Sequence, residues 1–114
     1  MYINSGYLNN SRLAFVDKSR PLIVGSCGTY RLSSHYKLPT WWRSGRPDWQ
    51  LLYVASGKAH FFIKGQDLIV TAGNMVLYQP KQAMHYEYFG KDKPEVYWVH
   101  FTGGQVRSIL KQHE

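Results

Sequence analysis

The five histidines are the first residues of this sequence that could do chemistry, and they stand at positions 35, 60, 85, 100 and 113. A transition-metal centre needs several His or carboxylate side chains that point at one ion, and on a β-strand a His-x-His pair is the spacing that puts two of them on one face. The apolar run Trp49 to Tyr53 has no His, and the five histidines have no ligand spacing. We therefore expect no metal and no other cofactor, and we assign His85 to a strand or a barrel rim.

The sequence also lacks the motifs of nucleophilic catalysis and of phosphate binding. The chain has no Gly-x-Ser-x-Gly nucleophile turn and no glycine-rich phosphate loop. Its seven carboxylates are scattered, so that no Ser/His/acid set can be selected from them. We expect a protein that is not an enzyme.

The positive charge of the chain is a second candidate for function. Its 14 basic and 7 acidic residues give a formal charge of +7, without any Lys/Arg run. One segment combines cations with rings and contains Arg31, Lys37, Arg43 and Arg46 among Tyr36, Trp41, Trp42 and Trp49. Such a segment could stack on single-stranded bases or on sugar rings, or could simply keep a small domain soluble. Dispersed charge without a recognition helix predicts only weak, non-selective binding to duplex DNA.

The elements that must position these residues are short strands. Runs of β-branched and aromatic residues alternate with Gly/Pro/Asn/Asp/Lys turns, which is typical of an antiparallel sandwich or barrel. Residues 49–55 are apolar on both faces, which predicts a central strand covered on both sides. The turns at 56–58 and 64–67 predict a meander with the next two strands. The segment His35 to Asp48 is predicted to be a loop long enough to be functional.

The two ends of the chain differ from this pattern. Residues 1–20 have no sustained period of 2 or 3.6 and predict an arm or a loosely held strand. After Phe101, the sequence Thr102-Gly103-Gly104 ends the last strand. Apolar residues at spacings of three and four then predict a short helix from Gln105 to Gln112.

Length, cysteine content and hydropathy restrict the setting of the protein. The 114 residues suffice for one domain with one core. The only cysteine, Cys27, cannot form an internal disulfide. No run of about 18 apolar residues and no signal peptide is present. We therefore expect no membrane partner and a reducing, cytoplasmic location.

Two segments carry a resemblance to a known family. The stretch Arg43-Ser44-Gly45-Arg46-Pro47-Asp48-Trp49-Gln50-Leu51 and the ending Pro94-Glu95-Val96-Tyr97-Trp98-Val99-His100-Phe101-Thr102-Gly103 resemble the N-terminal effector-binding domain of AraC-type transcription regulators. The resemblance implies an all-β fold, a cupin-like antiparallel jelly roll or double-stranded β-barrel with a short C-terminal helix. It divides the chain into an arm (1–20), the effector-binding domain (21–102) and the start of the helix (103–114). Lys81 departs from the pattern, because similar domains usually have Gly after the proline at 80.

The resemblance also implies a function and a site. The chain would bind a small-molecule effector, with a sugar favoured, and so control a C-terminal DNA-binding domain. Nothing in these residues matches that domain or the dimerisation helices that precede it in the family, which favours a fragment of a larger regulator and leaves a homodimer open. The effector contacts carry over to Arg43, Tyr86, Val96 and Trp98. Of these, Arg43, Tyr86 and Trp98 are expected to converge on one cavity. Strand alternation places Val96, Trp98 and His100 on one face of their strand.

Two other functions fit the same pattern of strands. One is a small metal-dependent cupin enzyme, which predicts a tightly bound transition metal. The other is a carbohydrate-binding jelly-roll module, which predicts a shallow surface site and tolerance of mutations in the lumen.

Overall fold

Two antiparallel sheets face each other in the computed structural model, which describes residues 2–8, 16–34 and 36–113. The strands are β1 (Tyr2–Leu8), β2 (Ile23–Leu32), β3 (Lys37–Trp42), β4 (Trp49–Ser56), β5 (Lys58–Ile63), β6 (Gln66–Thr71), β7 (Asn74–Tyr78), β8 (Met84–Phe89) and β9 (Glu95–Thr102). A single 3-10 turn, Gly90–Asp92, joins β8 to β9, and the helix α1 spans Val106–Gln112. The predicted all-β jelly roll with a short C-terminal helix is correct.

The strand order differs from the predicted meander. One sheet has the order β1-β2-β9-β4-β7 and the other the order β3-β8-β5-β6. Strands β5 and β6 do form a hairpin, but β4 pairs with β7 and β9 in the opposite sheet. The turn at Ser56-Gly57-Lys58 therefore carries the chain from one sheet to the other. Gly57 has φ +69° and lies against the backbone oxygens of Asp92 and Lys93, where a Cβ atom would not fit.

The segment predicted as a loop from His35 to Asp48 contains strand β3. Pro39 favoured the loop prediction because proline cannot donate a backbone hydrogen bond to a neighbouring strand. β3 is an edge strand that pairs only with β8, so one side of its backbone needs no sheet partner. His35 itself lies outside the described residues.

The core lies between the sheets. Its buried members are Leu32, Leu52, Val54, Ala59, Phe61, Tyr78, Met84, Tyr86, Tyr88 and Val96. A second cluster on the outer face of the five-stranded sheet joins Trp49, Phe101 and Val106, with Leu110 against it. Thus α1 covers the start of β4, as predicted for a strand apolar on both faces. The outer face farther along β4 is open, because Tyr53 is exposed.

Residues 2–8 of the predicted arm form β1, which pairs with β2 from Tyr2 opposite Leu32 to Leu8 opposite Ser26. Residues 9–15 lie outside the described residues. No helix among the residues that the structure describes is long and apolar enough to cross a membrane.

Candidate functional site

A cavity of about 450 Å³ opens between the two sheets at one end of the barrel, and we call it the lumen. Its wall combines aromatic and polar side chains with one glycine. The lining residues are Gly6, Ser26, Tyr30, Thr40, Trp42, Arg46, Gln50, Met84, Tyr86, Trp98 and His100. Strand alternation explains the selection on β9, because Trp98 and His100 face inward while Val99 and Phe101 face the outer cluster.

Four lumen side chains form one continuous hydrogen-bond chain across both sheets. The Ser26 hydroxyl lies 2.7 Å from Nδ1 of His100, and Nε2 of His100 lies 2.6 Å from Oε1 of Gln50. The Gln50 amide nitrogen then donates to the Tyr86 hydroxyl at 3.3 Å. Since an amide oxygen can only accept, Nε2 of His100 carries the proton and Nδ1 accepts from Ser26. All three hydrogen bonds are therefore donated in the same sense, from Ser26 towards Tyr86.

The imidazole of His100 is held neutral. Burial lowers its pKa from 6.5 to about 3, and the nearby positive charge of Arg46 acts in the same direction. Burial raises the pKa of the Tyr86 hydroxyl, against the opposing effect of its hydrogen bonds with Gln50 and Thr40. Both groups are thus uncharged donors and acceptors at neutral pH.

Arg46 is the only cation that lines the lumen within the described residues, and it carries its own counter-ion. Its Nε lies 2.7 Å from Oδ1 of Asp48, and one terminal nitrogen lies 3.2 Å from Oδ2. Arg46 is 8% exposed and Asp48 2% exposed. The guanidinium also lies 5.5 Å from the ring of Trp42. The paired charges cancel, so the lumen has no net charge.

Trp98 forms the aromatic wall and presents an unused donor. Its ring contacts those of Tyr30 and His100, at centroid distances of 6.4 and 4.6 Å. Its indole N–H is buried and has no hydrogen-bond partner among the described residues. A buried donor without a partner costs stability.

Gly6 makes room for this indole. Gly6 of β1 pairs with Gly28 of β2, which in turn pairs with Trp98. A Cβ atom on Gly6 would lie 3.0 Å from the Cys27 carbonyl oxygen and 3.3 Å from the Trp98 ring. Two glycines in register therefore leave a flat surface beside the indole.

Gly6→Ala is expected to push the Trp98 ring into the lumen and to lower the free energy of unfolding by about 1–2 kcal/mol through overpacking. Urea unfolding measures the loss. Adding Trp98→Phe, which has a smaller ring, should make the effect of Gly6→Ala smaller than in the parent, since the two sites are in contact. Strict additivity of the two changes would contradict this account.

The predicted site residues separate into three groups. Tyr86 and Trp98 line the lumen together. Val96 faces the same side of β9 but is fully buried in the core below the cavity. Arg43 lies outside the lumen, with its guanidinium 5.5 Å from the ring of Trp41, so the expected convergence of Arg43, Tyr86 and Trp98 on one cavity is wrong. Arg43 follows Trp41 at a spacing of two on the outward face of the chain, while Arg46 turns inward to Asp48.

Four residues of the lumen wall are not among the predicted site residues: Ser26, Arg46, Gln50 and His100. Gln50 could have been recognised as the one polar side chain in an apolar central strand. His100 shares the face of Trp98 by strict alternation. Ser26 and Arg46 give no comparable pattern, because their positions depend on contacts between distant segments.

The lumen does not suit a transition metal. Among the described residues that line it, the single imidazole has both nitrogens engaged by Ser26 and Gln50, and none is a carboxylate. Across the described ranges, no group of three His, Cys, Asp or Glu side chains is placed to hold a metal ion.

The family model of the AraC-like ligand binding domain matches residues 26–114. The chain belongs to this family. None of the curated proteins matches it in sequence. In this AraC-like ligand binding domain, Lys81 stands where similar domains usually have Gly, and it adopts φ +67°, a left-handed conformation that favours glycine.

Solved structures with the same fold are distant in sequence. A Cupin 2 conserved barrel domain protein from Salinispora arenicola is 9% identical, with a TM-score of 0.57 over 99% of this chain and 85% of that chain. The Cupin_2 domain of an XRE family transcriptional regulator from Enterobacter cloacae is 11% identical, with a TM-score of 0.55 over 89% and 95%. A predicted oxalate decarboxylase from Thermotoga maritima is 14% identical, with a TM-score of 0.53 over 68% and 65%. These similarities establish the cupin fold.

Proposed function

We propose that this chain is the effector-sensing domain of an AraC-type transcription regulator and is not an enzyme. A neutral polar small molecule, with a sugar favoured, binds in the lumen and controls a DNA-binding domain that these residues do not include. The regulator acts in the cytoplasm as a homodimer. Family membership supports the sensing role, and the lumen supports the type of effector.

The observation that carries the proposal is the position of Trp98 in the lumen wall beside the hydrogen-bond chain. The indole lines the lumen and offers an aromatic surface to the C–H surface of a sugar ring. Ser26, Gln50 and Tyr86 supply donors and acceptors for hydroxyl groups, which are themselves both donors and acceptors. A cavity with apolar walls and a few placed polar groups is the usual form of a small-molecule site.

The charge of the lumen favours an uncharged effector. Asp48 neutralises Arg46, and His100 is neutral because its pKa is about 3. A carboxylate or phosphate ligand would have to compete with Asp48 for the guanidinium.

The fold also supports a way in which effector binding in the lumen could affect the position of the C-terminal helix. His100 lines the lumen, and the next residue, Phe101, packs with Val106 of α1 on the other face of the sheet. Gln50 likewise lies in the lumen beside Trp49, which packs in the same outer cluster. A small shift of β4 or β9 on effector binding would therefore move the surface on which α1 rests.

The test is calorimetric titration with a panel of neutral sugars, polyols and organic acids. At a concentration of about 100 times its Kd, the effector should raise the free energy of unfolding by about 2.7 kcal/mol. Trp98→Phe replaces the indole by a smaller aromatic ring, and it should weaken binding about 3- to 10-fold because less ring surface meets the ligand. Arg43→Gln is the matched control and should leave the affinity unchanged, because Arg43 lies outside the lumen.

Equal affinity of the parent and the Trp98→Phe variant would show that the effector binds outside the lumen. Preference for an anionic ligand would contradict the inferred neutral effector. Elemental analysis addresses the enzyme alternative: one transition metal per chain, retained after dialysis against a mild chelator, would favour a metal-dependent cupin enzyme instead.

A further inference from the structure

A second cavity, of about 550 Å³, lies on the outside of the four-stranded sheet. It is formed by the end of β3, the tip of the β5–β6 hairpin and the start of β8. We call it the outer cleft. Its lining residues are Trp41, Arg43, Phe62, Ile63, Lys64, Gly65, Gln82, Ala83, Met84 and His85.

The floor of the outer cleft is a row of three rings. Trp41 of β3 pairs in register with His85 of β8, and their ring centroids lie 3.9 Å apart in an edge-to-face arrangement. Phe62 of β5 stacks on the other side of His85, with centroids 4.3 Å apart. Glu87 fixes the imidazole by a contact of 3.1 Å to Nε2. The row is not covered, because 57% of Trp41 is exposed.

The charge of the outer cleft is unbalanced. Three of the four cations in the basic, aromatic segment have carboxylate partners: Arg31 pairs with Glu95, Lys37 with Glu87 and Arg46 with Asp48. The fourth, Arg43, lies over Trp41 and forms no ion pair with a described carboxylate. Lys64, at the hairpin tip, is likewise without an ion pair in the described part of the chain, and no carboxylate lines the cleft.

We propose that the outer cleft is a second binding site, for a small ligand with a flat aromatic ring and an anionic group. The ring packs on Trp41 in the row of aromatic side chains, and the anionic group meets Arg43 and Lys64. Aromatic rings favour offset stacking or edge contacts with one another, and guanidinium binds carboxylate or phosphate in a paired geometry. A nucleoside monophosphate and an aromatic carboxylate share this chemistry. The neutral lumen and the cationic outer cleft thus bind different ligands.

The experiment uses adenosine monophosphate and benzoate as probes, followed by calorimetry and by tryptophan fluorescence. Adenosine and inorganic phosphate each supply only half of the proposed contacts. Arg43→Gln with Lys64→Asn removes both charges, and Asn is chosen because Lys64 has φ +52°, which Asn tolerates. Arg31→Gln with Lys111→Gln removes the same charge elsewhere on the surface. Trp41→Leu tests the stacking contact.

We expect saturable binding of at least one probe, accompanied by a change in fluorescence that Trp41→Leu abolishes. The Arg43/Lys64 variant should bind the probe about tenfold more weakly or worse, while the Arg31/Lys111 variant binds it like the parent. Binding of adenosine monophosphate alone identifies a nucleotide site, and binding of benzoate alone identifies a site for aromatic acids.

Three results would overturn the proposal. One is the absence of saturable binding by either probe. Another is an equal loss of probe affinity in the two double variants, which would show that the loss comes from overall charge and not from the outer cleft. The third is a loss of probe binding in Trp98→Phe as large as in Trp41→Leu, which would place the probe in the lumen. If neither probe binds but a single-stranded oligonucleotide does, the outer cleft binds nucleic acid and is not a small-molecule site.

Discussion

Replacing Asp48 by asparagine is expected to lower the free energy of unfolding by about 3–5 kcal/mol. The reason is the burial of its partner: Arg46 is only 8% exposed and would remain as a positive charge without a counter-ion. An asparagine keeps the size of the side chain and one hydrogen-bond acceptor, so the change isolates the lost charge. Urea unfolding at neutral pH measures it.

The matched control is Glu95→Gln in the exposed pair of Glu95 and Arg31, which should cause a much smaller loss because solvent screens that pair. A double variant, Arg46→Met with Asp48→Leu, should recover most of the stability lost in Asp48→Asn, since an apolar pair has no charge to desolvate. Equal, small losses in Asp48→Asn and Glu95→Gln would show that the ion pair is not desolvated in the folded protein.

The same variant bears on the proposed effector. With Asp48 neutralised, the lumen gains a net positive charge and its preference should move from neutral ligands towards anions. The parent domain should show no such preference, because Asp48 occupies the guanidinium.

The patterns that depend on one strand were predictable from the sequence. Period-2 alternation on β9 placed Trp98 and His100 on one face, and both line the lumen. The turn residues at 64–67 predicted the β5–β6 hairpin, which the register of the two strands confirms. In each case the information lies within a few consecutive residues.

Patterns that depend on two distant segments were not predictable. The meander was wrong because a tight turn alone does not say whether the next strand returns to the same sheet. At Ser56 to Lys58 the choice depends on the packing of Gly57 against the backbone at Asp92 and Lys93. Those residues are more than thirty positions away in sequence.

The lumen arginine is Arg46 and not the predicted Arg43, and this error also arose from a contact between distant segments. Both arginines stand in one short segment, and the family resemblance pointed to the first. The backbone N–H of Lys81 donates to the carbonyl oxygen of Arg46 at 2.7 Å, and Gly45 lies against the backbone of Gln82. The 43–48 segment is thus fastened to the 79–82 segment in a way that turns Arg46 towards Asp48 and the lumen. The sequence of the 43–48 segment alone does not predict that contact.

Stability is expected to fall as the pH is lowered from 7 to 5, through the protonation of His100 in the unfolded chain. In the folded protein its pKa is about 3, against 6.5 for an ordinary histidine, so between these values the unfolded chain holds a proton that the folded one does not. The contribution is fully present above pH 6.5 and is lost as the pH falls towards 3. The slope approaches about 1.4 kcal/mol per pH unit, which gives a loss of about 2 kcal/mol at pH 5.

The measurement is urea unfolding at several pH values, compared between the parent and His100→Gln. The glutamine can still exchange hydrogen bonds with Ser26 and Gln50 but cannot take up a proton, so the difference between the two proteins should shrink or reverse as the pH falls. Most carboxylates stay ionised above pH 5 and the other histidines are common to both proteins, which leaves His100 as the source of the difference. The exposed His113→Gln variant should follow the parent. Parallel curves for the parent and His100→Gln would mean that His100 is accessible to protons in the folded state, and the neutral, one-directional hydrogen-bond chain of the lumen would then be wrong.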